Sequence, residues 1–229
     1  MTAFLASVRD EHEAALALAG GADIVDFKDP ASGALGAAPP AVIESGLARL
    51  AGRVSTSATA GDWPLEPRAL GAAAHRIGAT GVDYVKLSLL QGAGLPACIT
   101  RLRPVAREHR LIAVFFADLG VPTGALESLK EAGFAGAMLD TFDKTNGGLR
   151  RHVCDADLAG FVRAARELGL LAGLAGSLAL ADIAPLMHLS PDVLGFRGAL
   201  CGTGRTSALS LERMLQVRAA LDHASICAA

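Results

Sequence analysis

The chain has 229 residues, of which 52% are hydrophobic and only 4% aromatic, and its formal net charge is −2. This charge does not predict a surface for nucleic acid or acidic membranes. The apolar runs are short and broken by charge, so no bilayer span is expected. The length suits one domain over 1–229, and the abundant Ala, Leu and Val suit parallel strands with covering helices.

The cysteines and histidines do not form a recognisable metal or disulfide pattern. Cys98, Cys154, Cys201 and Cys227 are widely spaced without a CxxC pair, and the six histidines contain no HExxH pattern. The first residues lack the basic start and long apolar core of a signal peptide, and they fit a first strand better. We therefore expect a reduced, cytoplasmic protein.

In chain order, short apolar runs alternate with Ala-rich stretches of helical pattern. The predicted strands are 4–7, 23–28, 54–58, 83–87, 111–116, 136–140, 170–175 and 192–197. The first helix is predicted to begin at Asp10, with Glu13 completing a capping box, and to end at Gly20 and Gly21. The last helix is predicted near 210–222, where it would close an outer ring.

Eight strands with intervening helices predict a single (β/α)8 TIM barrel. The alternative is an open doubly wound sheet, which usually needs fewer strands and often has an early glycine-rich nucleotide loop. The sequence has neither GxGxxG after the first strand nor GxxxxGK[ST]. The segments 21–28, 81–88 and 192–197, which contain the second, fourth and eighth predicted strands, also resemble one another, as expected for an internal repeat.

Charged residues concentrate at the predicted carboxyl ends of the even-numbered strands, where barrel enzymes build their sites. They are Asp26, Lys28, Lys86, Asp140, Lys144 on the following loop, and Arg197. Asp26 and Lys28 are two residues apart and share a face, whereas Val25 and Phe27 suit packing against helices. We expect the charges to face the barrel interior. A purely structural ring of ion pairs is the alternative.

Two neighbouring lysines indicate carbonyl chemistry. Each ammonium disfavours the other and burial lowers a lysine pKa, so a neutral amine can attack an aldehyde or ketone and form a Schiff base. Asp26 and Asp140 could hold the other lysine charged or move protons. This chemistry needs no cofactor. A divalent metal is not expected, because cations are mixed among the carboxylates and no histidine lies at a strand end.

A phosphate site is predicted after the last two strands. Gly176 and Ser177 follow the seventh strand, and Gly198 and Ala199 follow the eighth, directly after Arg197. Barrels often bind phosphate through backbone N–H groups of these two loops. Arg205, in the small-residue loop 202–207, adds another cation, and we expect Arg197 and Arg205 to act mainly in binding a small phosphorylated aldehyde.

The chain resembles the (5-formylfuran-3-yl)methyl phosphate synthase family of methanofuran biosynthesis, from the first strand to the last helix. The segments that carry the resemblance are 20–30 (GGADIVDFKDP), 33–37 (GALGA), 57–62 (SATAGD), 82–86 (VDYVK), 138–141 (MLDT) with Lys144, 174–177 (LAGS), and 195–199 (GFRGA) with Cys201. Two loops, 201–207 and the region around 146–148, differ from the archaeal members, so the family's phosphate contacts do not carry over directly.

The resemblance implies a (β/α)8 lyase that joins two molecules of glyceraldehyde 3-phosphate into a furan aldehyde bearing one phosphate, with loss of inorganic phosphate and water. It implies that Lys28 is the Schiff-base lysine and that Lys86, Asp26, Asp140 and Lys144 complete the active site. Whether Lys28 or Lys86 carries the imine stays open on the residues alone.

Two other functions remain as alternatives. A Schiff-base aldolase for another sugar phosphate would use the same lysines, and a non-catalytic phosphate-ligand binder would not need them. The second is disfavoured because charge inside a barrel is costly without a task. Apolar helix faces allow a homo-oligomer of unspecified stoichiometry.

Overall fold

The protein folds into a closed barrel of eight parallel strands, as seen in a computed structural model that describes residues 2–121 and 124–227. The strands are β1 (Ala3–Val8), β2 (Ile24–Phe27), β3 (Ser55–Thr59), β4 (Tyr84–Ser88), β5 (Leu111–Phe116), β6 (Gly136–Asp140), β7 (Leu171–Leu174) and β8 (Val193–Phe196). Each predicted strand is confirmed, with boundaries that differ by at most one residue. The predicted TIM barrel is therefore confirmed.

Helices surround the strands on the outside. They are α1 (Glu11–Ala19), α2 (Pro40–Leu50), α3 (Pro67–Gly78), α4 (Leu95–Arg101), α5 (Arg103–Glu108), α6 (Ala125–Ala132), α7 (Leu149–His152), α8 (Asp155–Glu167), α9 (Leu180–Met187) and α10 (Leu211–Cys227). The last helix begins near its predicted start but continues beyond the predicted end at 222. None of the helices within the described ranges is long and apolar enough to cross a membrane.

The start of α1 confirms the predicted cap and refines it. Asp10 accepts a hydrogen bond from Glu13 N at 2.9 Å, and Gly20 ends the helix. The reciprocal bond of a capping box is absent from the described contacts, because the Glu13 carboxylate accepts from Arg9 N instead. Glu13 is buried and turns toward the barrel, where it meets Arg197.

Two apolar layers set the direction of the charged residues. One lies between strands and helices, where Phe27 packs so closely on α2 that a Cβ on Gly46 would lie 2.3 Å from its ring. The other, with Leu5, Phe116 and Met138, fills the barrel interior. Because Phe27 points outward, its neighbours Asp26 and Lys28 point inward, which confirms the expected alternation.

The thiols of Cys98, Cys154 and Cys201 are free. The side chain of Cys227 lies outside the described part of the chain.

Candidate active site

A cavity of about 590 Å³ opens at the carboxyl ends of the strands. Lys28, Lys86, Asp140 and Lys144 line its floor, and the loops after β7 and β8 line one side. The strands therefore bring together the lysines and the β6 carboxylate that the sequence predicted as one site. Three of the four lysines in the chain lie here.

Asp26 and Lys86 form an ion pair beneath the cavity. Asp26 is fully buried, and its carboxylate accepts from Lys86 Nζ at 3.0 Å, from Ser7 Oγ at 3.0 Å and from Ser57 Oγ at 2.6 Å. The serines can reach it because Ser7 and Ser57 stand directly beside Asp26 on β1 and β3. A buried charge is tolerated only when it is paired and hydrogen-bonded, and here both conditions are met.

Asp140 and Lys144 form the second ion pair, at the end of β6. Lys144 Nζ donates to Asp140 Oδ1, and the same oxygen accepts from Thr141 N at 2.7 Å. Burial alone would raise the pKa of Asp140, but the positive charges of Lys144 and Lys28 and these hydrogen bonds hold that pKa below its ordinary value. Asp140 is therefore a carboxylate, able to accept a proton.

Lys28 differs from the other two lysines because its Nζ has no direct partner in the part of the chain that the structure describes. No hydrogen bond or ion pair joins its Nζ to any residue of 2–121 or 124–227, although the side chain is buried. Burial above all, together with the positive charges of Lys144 and Lys86, lowers the pKa of Lys28 to about 8 against the opposing effect of Asp140 and Asp26. With that pKa, about a tenth of Lys28 is neutral and nucleophilic at pH 7, and about half at pH 8.

The loops after β7 and β8 offer backbone donors to the cavity. Gly176 and Ser177 have φ of 108° and 47°, the second uncommon for a residue with a side chain, and such strain concentrates at functional sites. Gly198 and Ala199 begin a short 3₁₀ turn. The N–H groups of Ser177, Gly198 and Ala199 have no acceptor among the described residues. These loops have the form of an anion site.

Arg197 lines the cavity, but its guanidinium N–H groups donate to protein oxygens. Its Nε donates to Arg205 O at 2.8 Å, Nη1 to Ser7 O and Glu13, and Nη2 to Ser207 O and Glu13. A guanidinium has five N–H groups, and these contacts use them all. The expectation that Arg197 contacts phosphate directly is therefore corrected: it supports the loop that carries Arg205.

Two other arginines supply charge to the cavity. Arg205 lies at its wall, with Nη2 donating to Gly33 O at 3.2 Å, and burial lowers its pKa. Arg213, which sequence reasoning missed, also lines the cavity. It lies in the first turn of α10, where the helix dipole disfavours a cation. That unfavourable position is the signal by which the sequence could have indicated Arg213.

Sequence comparisons match this chain to one family of known proteins. A family model described as 4-HFC-P synthase matches residues 4–218. The (5-formylfuran-3-yl)methyl phosphate synthase of Archaeoglobus fulgidus is 33% identical, over 91% of this chain and 94% of its own. A Methylorubrum extorquens protein provisionally named for the same activity is 44% identical, over 93% of this chain and 88% of its own.

Solved structures with a similar fold are barrel enzymes. A thiamine phosphate pyrophosphorylase from Pyrococcus furiosus has a TM-score of 0.66 at 10% identity, over 97% of this chain and 96% of its own. The 3-keto-L-gulonate-6-phosphate decarboxylase of Vibrio cholerae has a TM-score of 0.65 at 14% identity, over 97% and 98%. At these identities the likeness concerns the fold alone. The sequence matches decide the family: the chain belongs to the 4-HFC-P synthase family of (5-formylfuran-3-yl)methyl phosphate synthases.

Proposed function

We propose that this protein condenses two molecules of glyceraldehyde 3-phosphate into (5-formylfuran-3-yl)methyl phosphate through a Schiff base on Lys28, in methanofuran biosynthesis. One observation carries the proposal. Of the three lysines in the cavity, Lys28 alone has no ion-pair partner among the described residues, and its pKa is lowered to about 8. Lys86 and Lys144 are ion-paired with Asp26 and Asp140.

The other groups then have distinct tasks. Neutral Lys28 adds to the aldehyde carbon of one triose phosphate, and loss of water leaves an imine. Asp140 accepts the activated proton next to the imine, while Lys144 and Lys86 return protons to departing oxygen. Elimination of phosphate, carbon–carbon bond formation, ring closure and dehydration complete the furan. Arg205, Arg213 and the N–H groups after β7 and β8 hold phosphate.

Borohydride trapping tests the proposal. The protein is reduced in the presence of glyceraldehyde 3-phosphate and digested, and the modified peptide is identified by mass spectrometry. The expected adduct lies on Lys28. Lys28→Arg keeps the positive charge but cannot form the imine, and it should abolish both the adduct and furan absorbance. The exposed Lys130 offers a matched control, since Lys130→Arg should leave both intact. An adduct on Lys86 would contradict the assignment.

Product analysis separates this function from the alternatives. With glyceraldehyde 3-phosphate as the sole substrate, an ordinary Schiff-base aldolase would give an adduct on Lys28 but no furan chromophore. A non-catalytic binder would give neither, and its role would survive Lys28→Ala and Lys86→Ala. Furan formation that is lost in both variants supports the synthase.

A further inference from the structure

A cluster of two histidines and one glutamate, residue types that bind metal ions, lies on the outer surface. His75 of α3, Glu108 at the end of α5 and the following His109 bring one ligand atom each within 4.8 Å of one another. His75 Nδ1 lies 3.2 Å from His109 Nε2 and 3.5 Å from Glu108 Oε2. No sequence motif predicts this cluster, because two histidines 34 positions apart match no metal-binding pattern.

These separations fit a tetrahedral zinc ion. Zinc bonds to imidazole nitrogen at about 2.0–2.1 Å, and two ligands at the tetrahedral angle are then about 3.3–3.4 Å apart. The observed 3.2 and 3.5 Å bracket that value. Two imidazoles and one carboxylate form a donor set that binds zinc in preference to magnesium or calcium, because those two ions take oxygen ligands.

Hydrogen bonds among the three side chains satisfy their polar atoms less well than a bound cation would. Both short contacts end on the same atom, His75 Nδ1. A ring nitrogen carries either one hydrogen or one lone pair, so it cannot serve His109 and Glu108 fully at the same time. A cation placed between the three ligand atoms satisfies all of them together.

Gly78 provides the space for this arrangement. It ends α3, and a Cβ built there would lie 2.2 Å from His109 Nδ1, so any larger residue would push the ring away. Gly78 does not have a positive φ, and therefore its backbone conformation does not require glycine. The absent side chain is what lets the His109 ring lie beside the helix.

We propose that His75, Glu108 and His109 form a Zn²⁺ site that ties α3 to the junction of α5 and β5, with solvent as the fourth ligand. The next residue, Arg110, lies 4.1 Å above the Tyr84 ring, and its carbonyl accepts from Val85 N at 3.0 Å. The site thus lies at the amino ends of β4 and β5. This end of a barrel serves stability, whereas the catalytic cavity is at the other end.

Calorimetric titration of metal-depleted protein with ZnCl₂ tests the site. A Cys154→Ser background removes the exposed thiol as a competing ligand. We expect saturable binding of one Zn²⁺ per chain, no binding of Mg²⁺, and a rise in Tm with zinc concentration, since a ligand of the folded state stabilises it. His75→Ala should abolish binding, and His188→Ala, which removes another exposed histidine, should leave it unchanged.

Gly78→Ala gives the sharpest comparison because it keeps all three ligands. It should weaken Zn²⁺ binding about tenfold or more by displacing His109, a loss typical of residues that orient a metal ligand. Its Tm without metal should be equal to or above that of the parent, since alanine is the better helix residue. Absence of zinc binding in the parent, or binding unaffected by both His75→Ala and Gly78→Ala, would overturn the proposal.

Discussion

The lysines of the cavity differ in what surrounds them, although the sequence presents them alike. Lys86 Nζ lies 3.0 Å from Asp26, and Lys144 pairs with Asp140, so each charge has an acceptor. Lys28 is buried without an acceptor in the described ranges of the chain, and its pKa is lowered to about 8. A lysine in that state is poised for addition to a carbonyl, because the unprotonated form is the nucleophile.

The lowered pKa predicts the pH dependence of imine formation. The rate of borohydride-trapped adduct should rise with pH, with a midpoint near the pKa of about 8, and level off above it. Burial is the main cause of this value, and the charges of Asp140, Lys144, Lys86 and Asp26 around Lys28 adjust it. Initial trapping rates from pH 6 to 10 would measure this midpoint. Below the midpoint, the trapping rate should rise about tenfold per pH unit. A midpoint near the ordinary lysine value of 10.5 would contradict the assignment.

The same shift makes Lys28 a cost to stability. Unfolding restores its ordinary pKa, so the unfolded chain binds more protons between about pH 8 and 10.5, and stability rises with pH in that window. Lys28→Met removes the buried ammonium, and we expect it to raise the free energy of unfolding at pH 7 by on the order of 1–3 kcal/mol. The difference should fade above pH 10.5.

Urea unfolding of both proteins at pH 7 and pH 10.5 would measure this effect. Lys130→Met, on the exposed face of α6, is the matched control and should change stability by less than about 0.5 kcal/mol. A Lys28→Met protein that is less stable than the parent at pH 7 would show that the amine is not penalised by burial.

At the scale of elements, Arg197 and Glu13 connect α1, β8 and the loop before α10. Both side chains are buried, and Arg197 donates to the carbonyls of Arg205 and Ser207. Arg197→Met leaves the buried Glu13 carboxylate with only the exposed Arg9 as a cationic partner, which should cost at most about 3–5 kcal/mol. Because the loop also loses two hydrogen bonds, Arg205 should be less well placed and KM should rise.

A double variant isolates the charge effect. Glu13→Gln combined with Arg197→Met removes both charges, and it should recover part of the lost stability in thermal unfolding while KM stays high. Arg150→Met breaks a partly exposed pair with Asp155 and should cost only about 0–1 kcal/mol. Equal losses in Arg197→Met and Arg150→Met would show that the Glu13 pair does not join these elements.

The sequence predicted what depends on local periodicity and missed what depends on register between distant segments. The inward direction of Asp26 and Lys28 follows from a two-residue alternation within β2. Which lysine lacks a partner depends on Asp26 reaching Lys86 on β4, and the two come together only through the pairing of β2, β3 and β4.

Arg197 shows the same limit. Its position after β8 was predictable, but its partner Glu13 is 184 residues away, and no local pattern indicates that the pair consumes its donors. The predicted single domain over 1–229 rests on chain length. It stays a prediction that unfolding must test.

At the scale of the whole molecule, closure of the eight-stranded barrel predicts cooperative unfolding. β1 pairs with both β2 and β8, so the two ends of the chain meet in one ladder. The final helix packs on this seam through Met214, Val217 and Leu221, which are fully buried. A strand of this closed ladder cannot leave without exposing its neighbours, and we expect one calorimetric transition whose van't Hoff and calorimetric enthalpies agree.

Two leucines of α10 test this cooperativity. Leu221→Ala should lower the Tm of the entire transition, with a loss of about 2–5 kcal/mol. Leu215→Ala, on the same helix but 50% exposed, should cost about 0.5 kcal/mol or less. Differential scanning calorimetry would measure both. If Leu221→Ala instead splits the transition into two, the C-terminal part unfolds as a separate unit, and the single cooperative barrel would be the wrong description.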